Sequence, residues 1–211
     1  MKPYSAETKA AETPSASLRE TLIEGGLRLL AKGAPGDLSL RQVAAAAGVT
    51  HAAAYRHFED KNELLAAMAQ EGFRRFYDYQ MEALERSGPA VAARFRSLGW
   101  TYVRFALENP GFARIMFGGT GLDRRRYPGL MAVQARSARL LQQVIQEGQT
   151  AGLIAPGKLK QKTRAAWAIV HGMTMLLLDG QIPPGSSLAA TERSVTAVIE
   201  HVVVGMAATA S

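Results

Sequence analysis

Three helix-start signals lie within the 44 residues from Ser17 to Asp60, each directly ahead of an apolar stripe at helical spacing. Ser17-Leu18-Arg19-Glu20 and Ser39-Leu40-Arg41-Gln42 have the form of capping boxes, in which a hydroxyl and a second polar side chain satisfy orphaned backbone N–H groups. Asp60-Lys61-Asn62-Glu63 is a similar acidic start. So many beginnings in so short a span point to a compact helical unit. The first helix carries Leu22, Ile23, Gly26, Leu27 and Leu30 on one face, and Gly33-Ala34-Pro35-Gly36 ends it. The second is short and stops near Gly48. The third runs from about Thr50 to His57, and a long fourth from Asp60 to about Arg86.

The remainder has the same periodicity. Ser87-Gly88-Pro89 breaks the chain, and Val91, Phe95, Leu98, Tyr102 and Phe105 then form a seam at alternating four- and three-residue steps. Asn109-Pro110-Gly111 ends that helix, and a short segment reaches Phe117. Gly118 to Gly129 reads as a loop whose Arg124-Arg125-Arg126 cluster is solvated. Another helix carries Val133, Leu140, Leu141, Val144, Ile145 and Gly148 and closes at Gly152. Residues 165–178 are apolar nearly all round, which places their helix in the centre or at a subunit interface. The last helix shows Val195, Val198, Ile199, Val202, Val203 and Met206. The expected fold is all-α, with about nine helices. Residues 1–16 are polar and unpatterned, as in a disordered tail. Residues 17–60 form an N-terminal three-helix unit, and 61–211 a larger helical domain.

Several classes of function drop out. There is no cysteine, so no disulfide framework, thiol nucleophile or Cys-ligated metal. No apolar run is long enough for a membrane span, and no apolar segment opens the chain as a secretory signal would. The expectation is a soluble, cytoplasmic protein. His51 and His57 stand six apart, about 120° round a helix, and make no metal pair. No phosphate loop, dinucleotide fingerprint or nucleophile elbow occurs, so neither an enzyme nor a cofactor is expected.

The net charge of +7 suits an anionic partner such as nucleic acid. Its distribution does not locate the contact, since residues 1–61 hold eight cations against seven acids. Location comes from Leu38 to Leu65, LSLRQVAAAAGVTHAAAYRHFEDKNELL, where two short helices meet at Gly48 with small residues at their crossing. This is how a helix-turn-helix is written. The run Val43-Ala44, Ala47-Gly48-Val49-Thr50, Tyr55, His57-Phe58, Lys61 and Leu64 resembles the DNA-binding domain of the tetracycline repressor (TetR) family of bacterial transcription factors. Asn109-Pro110, Met116-Phe117 and Ala166-Trp167 with His171-Gly172 resemble a subgroup whose C-terminal domain carries Trp-x-x-x-His-Gly.

On a helical wheel with Ala54 inward, Ala52, Ala53, Tyr55 and Arg56 point outward, with His51 and His57 on the flanks and Thr50 at the N-cap. The alanines keep the helix thin enough for a major groove and offer methyls to thymine. Arg56 suits a guanine edge or a phosphate. The resemblance implies that Ser39, Thr50, Tyr55, His57 and Lys61 contact the DNA backbone, and that Arg41 and His51 reach bases. Ala54 departs from the leucine usual in the family.

The resemblance further implies a transcriptional regulator, more often a repressor, released by a small-molecule effector. Its partners would be a palindromic double-stranded DNA operator and a second copy of the chain. Trp100, Phe105, Met116, Phe117, Trp167, His171 and Met175 are the candidate effector-pocket residues, and they favour a hydrophobic or aromatic ligand. For Trp167 and His171, ordinary core packing is an equal alternative. Leu177, Val195, Val198, Ile199, Val202, Val203 and Met206 are the candidate homodimer interface. A rival class stays open, namely a helical small-molecule-binding protein or enzyme that does not read DNA.

Overall fold

The computed structural model describes residues 17–30, 35–118 and 120–207. The expected tail over residues 1–16 and the beginning of the Gly33–Gly36 break lie outside them. The described residues form nine α-helices and no strand: α1 Leu18–Leu30, α2 Leu40–Ala46, α3 His51–Tyr55, α4 Lys61–Ser87, α5 Val91–Glu108, α6 Pro110–Phe117, α7 Pro128–Thr150, α8 Leu159–Leu178 and α9 Leu188–Met206. The all-α expectation holds.

The start signals act as their chemistry requires. Ser17 Oγ accepts from the Glu20 N–H at 3.3 Å, and Glu20 Oε2 accepts in return from the Ser17 N–H at 2.8 Å. At α4 the Asp60 carboxylate accepts from the Glu63 N–H at 2.8 Å, while the Glu63 carboxylate reaches one residue further back, to the Glu59 N–H, at 2.6 Å. At α2 the box is altered. Ser39 Oγ accepts from the Gln42 N–H but donates to Gln42 Oε1 at 2.7 Å, so the glutamine returns to the hydroxyl and not to the backbone. Gly48 takes φ +69°, the left-handed turn that lets α3 leave α2 at a steep angle.

Two apolar clusters divide the interior. One joins α1 to α4 through Leu22, Leu30, Val43, Phe58, Leu64 and Met68, and continues along α4 to Phe76, Phe112 and Met116. The other joins Phe95 and Leu98 of α5 to Val144 and Ile145 of α7 and Val195 and Ile199 of α9. Helix α4, 27 residues and about 40 Å long, belongs to the first over its N-terminal half. Its Tyr77, Met81 and Leu84 pack against the second. Arg75 of α4 pairs with Glu24 of α1 and lies over the Phe112 ring of α6. One rod thus runs from the N-terminal helices deep into the C-terminal body with no flexible linker.

The interface expectation needs correction here. Val195, Ile199, Val202, Met206 and Leu177 are already buried within a single chain, against α5 and α7, and Val198 and Val203 are half-buried. The stripe that reads as a subunit contact is the internal face of α9. Ile199 is packed so closely on α5 that a Cβ at Gly99 would stand 2.5 Å from its Cδ1. What the pair of last helices leaves exposed lies elsewhere: Trp167, Ile169 and Leu176 on α8, and Leu188 and Val204, the latter 74% exposed, on α9.

Candidate nucleic-acid interface and ligand cavity

The helix-turn-helix is held from both sides. Arg28 of α1 donates to the Ala46 carbonyl at 2.9 Å and so caps the C-terminal end of α2. Lys61 Nζ donates to the Gly36 carbonyl at 2.6 Å, which ties the α1–α2 connection to the start of α4. Thr50 caps α3, its hydroxyl accepting from the Ala53 N–H at 3.2 Å. Leu40, Val43, Ala44, Ala54 and Phe58 form the core beneath.

On the outer face Arg41, Thr50, His51, Ala52, Tyr55, Arg56 and His57 are exposed together, with Ser39 and Lys61 half-buried at its margin. The His51 ring packs edge-on against Tyr55 at 4.6 Å, so the two flank the helix as one unit. Among the described residues neither Arg41 nor Arg56 forms an ion pair. Ala53 departs from expectation: it is 7% exposed, beside fully buried Ala54. This five-residue helix sinks two successive alanines into the unit, so its buried arc is wider than the one-position wheel allows. The outward methyl is that of Ala52 alone.

A second site lies some way up the rod. A cavity of about 590 Å³ opens between α4, α5, α6, α7, α8 and α9, within the range of small-molecule sites. Phe73, Phe76, Phe95, Leu98, Leu141 and Val170 supply apolar wall, and Gln80 accepts a 2.6 Å hydrogen bond from the Ser137 hydroxyl. Of the candidates, Met116, Phe117, Trp167 and His171 line the cavity. Trp100, Phe105 and Met175 do not. Phe105 is buried in a ring cluster with Phe76, Tyr79 and Phe112, while Trp100 edges a separate groove beside Arg96 and Arg104. Aromatic residues at helical spacing mark burial, but they do not tell which side of a wall they stand on.

The Trp167 and His171 rings stack at 5.2 Å, and the Tyr102 hydroxyl and His171 Nδ1 are hydrogen-bonded at 3.0 Å. Burial pushes the Tyr102 phenol up and the His171 imidazole down, so both are neutral near pH 7. Arg124 was missed. Its triple-arginine loop is a 3-10 turn capped by Asp123, which engages Arg125. Arg124 instead turns inward, lines the cavity, and donates to the carbonyls of Ile115 and Met116 and to Gln134 Oε1. Nothing in a run of three arginines distinguishes the one that folds inward.

A helical body that carries a helix-turn-helix and an internal cavity is the architecture of a DNA-binding transcription regulator. The family description "Bacterial regulatory proteins, tetR family" matches residues 22–68, and "Tetracyclin repressor-like, C-terminal domain" matches 95–202, over half the chain. The chain belongs to the TetR family.

Among solved structures, it is similar to a protein of unknown function from Rhodococcus sp. RHA1. That match has 31% identity and a TM-score of 0.79, covering 94% of this chain and 100% of that one. It also shares the fold of the TetR family transcriptional regulator PfmR from Thermus thermophilus, at 20% identity and a TM-score of 0.69 over 87% and 97% of the two chains. A curated relative is the nucleoid occlusion factor SlmA of Marinobacter nauticus, 21% identical over 168 residues, or 79% of this chain and 82% of that protein. No helix among the described residues is long and apolar enough to cross a membrane.

Proposed function

We propose that the chain is a ligand-released repressor that binds a palindromic operator as a homodimer in the cytoplasm. Residues 17–60 form the DNA-reading unit, and residues from 61 onward form the effector and assembly domain. The observation that carries this is the single rod α4, which packs in the core under the exposed Arg41–His57 face and also walls the cavity with Phe73, Phe76 and Gln80. A ligand that favours one placement of that rod changes the separation of two recognition helices. Only one separation fits half-sites a helical turn, about 34 Å, apart. The Trp167-x-x-x-His171-Gly172 run supports grouping the C-terminal half with the proteins of that signature, and the position of both rings on the cavity wall supports a ligand contact for Trp167 and His171.

In this reading Tyr55, His57, Thr50, Ser39 and Lys61 grip phosphates, while Arg41, His51 and Arg56 meet base edges with the Ala52 methyl among them. The dimer forms through the exposed side of α8 and α9, where Leu176 and Val204 would otherwise face water.

The test is selection of a bound duplex from a random-sequence pool, followed by titration of the selected site. Wild type should prefer a two-fold site, with affinity falling steeply as salt rises. Tyr55→Ala and Arg56→Ala should each weaken it by about 1–3 kcal/mol per half-site while helicity and assembly stay intact. Wild-type affinity in both variants would remove α3 as the reader.

A further inference from the structure

We propose that the cavity takes an amphipathic organic anion, an apolar acyl or aryl body with a carboxylate head, and that Arg124 receives the head. This rests on the reading of the cavity as the effector site.

The lining is mostly apolar, yet it contains three cations, Arg124, Lys160 and Arg164, and no aspartate or glutamate. The three differ in position. Lys160 and Arg164 are exposed, one helical turn apart on α8, where they cost nothing to hydrate and can draw an anion towards the mouth. Arg124 is half-buried against the wall, its guanidinium 5.9 Å from the centre of the Phe73 ring. Among the described residues it has no carboxylate partner. Its acceptors are two backbone carbonyls of the last turn of α6 and the Gln134 amide oxygen.

Those acceptors hold the side chain in place but do not neutralise it, and its Nε–H donates to none of them. Desolvation lowers the Arg124 pKa from its ordinary value, a sign that the charge is held at a cost, although guanidinium stays protonated. A half-buried cation without a counter-ion is unfavourable unless something supplies one. Carboxylate is the planar acceptor that matches guanidinium, and its bonds to it are charge-assisted. A cationic ligand would meet three like charges and no acid. A neutral one would leave Arg124 as it is.

The rest of the cavity restricts the body of the molecule. Rings of Phe73, Phe76, Phe95, Phe117 and Trp167 face it, so most of its wall is apolar. The Ser137 hydroxyl donates to Gln80 Oε1. Tyr102 and His171 are hydrogen-bonded to one another, both in uncharged form. The half-buried charge in the lining is the one at Arg124. One charged end on an otherwise apolar molecule satisfies it.

The experiment is calorimetric titration of the full chain with matched probes in two bodies: decanoate, decanol and decylamine, and 2-naphthoate with 2-naphthalenemethanol. The expected result is that at least one carboxylate binds tenfold or more tightly than its alcohol, with decylamine weakest. Arg124→Met should abolish that preference, bringing acid and alcohol to equal affinity, and Arg124→Lys should retain part of it. Arg124→Gln replaces the methionine variant if the latter does not fold. Equal binding of acid and alcohol, or a preference that persists in the folded variants, overturns the anion assignment and leaves the effector site standing. Binding of no probe in either body removes the cavity as effector site, and this proposal with it.

Discussion

Arg114, on α6 beneath the cavity, donates from Nη1 to the Leu30 carbonyl in the last turn of α1, at 3.0 Å across 84 positions of sequence. A cation there meets the negative end of the α1 dipole as well as an unsatisfied carbonyl. This bond and the Arg75–Glu24 pair tie the first helix of the DNA-reading unit to the body of the protein. Replacing Arg114 with Met should lower stability by about 1–3 kcal/mol, the usual worth of a charged hydrogen bond. Urea unfolding measures this, and an unchanged midpoint would mean that water replaces the bond without loss.

Helices α4 and α6 approach at Gly72, where an added Cβ would stand 2.6 Å from Met116 Sδ and 2.7 Å from a Phe112 ring carbon. Gly72→Ala gains about 1 kcal/mol in helix propensity but overpacks at about 1–3 kcal/mol, since the phenyl ring cannot fold away as the thioether can. Net destabilisation is expected, partly recovered by adding Met116→Ala. A thermal melt above wild type for Gly72→Ala alone would show that the two helices separate freely.

Assembly can be tested on the side of α8 that one chain leaves open. Leu176→Glu with Val204→Glu on the neighbouring α9 should give a folded monomer by sedimentation and circular dichroism, with sharply weaker operator binding. Ile199→Glu should behave differently and unfold the C-terminal body, because Ile199 is 4% exposed within the chain. A folded, dissociated Ile199→Glu protein would reverse that assignment.

The half-buried imidazole of His171 gives a pH signature. Burial holds its folded pKa below the ordinary imidazole value of about 6.5, so below that value the unfolded chain takes up the proton first. The stability this contributes is complete above about pH 6.5 and is lost as pH falls towards the folded pKa. His171→Gln, which can still hydrogen-bond Tyr102, should therefore lose less stability than wild type between about pH 7.5 and pH 5.5. Parallel pH profiles for the two proteins would place the acid sensitivity at another group.

How much of this was legible in the sequence follows from what a pattern encodes. Ser17, Thr50 and Asp60 were legible because a cap depends only on residues three or four positions away. The all-helical body followed from its stripes for the same reason. The partner of a stripe was not legible: Val195, Ile199, Val202 and Met206 announce burial, but a helix cannot tell its own α5 from a second molecule by spacing. Arg124 was hidden for a related reason. Its orientation depends on Asp123 holding the neighbouring Arg125 outward and on carbonyls contributed by α6, and neither is visible in three identical letters. Ala53 differed because five residues are too few to define a wheel.

Ile199 and Val202 help wall the cavity from α9, while Ala197, His201 and Val204 on the same helix face outward. If the chain pairs and fills as proposed, the two events act on opposite sides of one rod, a helix-width apart. Thermodynamic linkage makes their effects reciprocal: whatever free energy pairing lends to the filled state, filling lends to the paired state. Protein concentration would then be an allosteric variable, and the apparent affinity for a small molecule would depend on how much of the protein is present to form pairs.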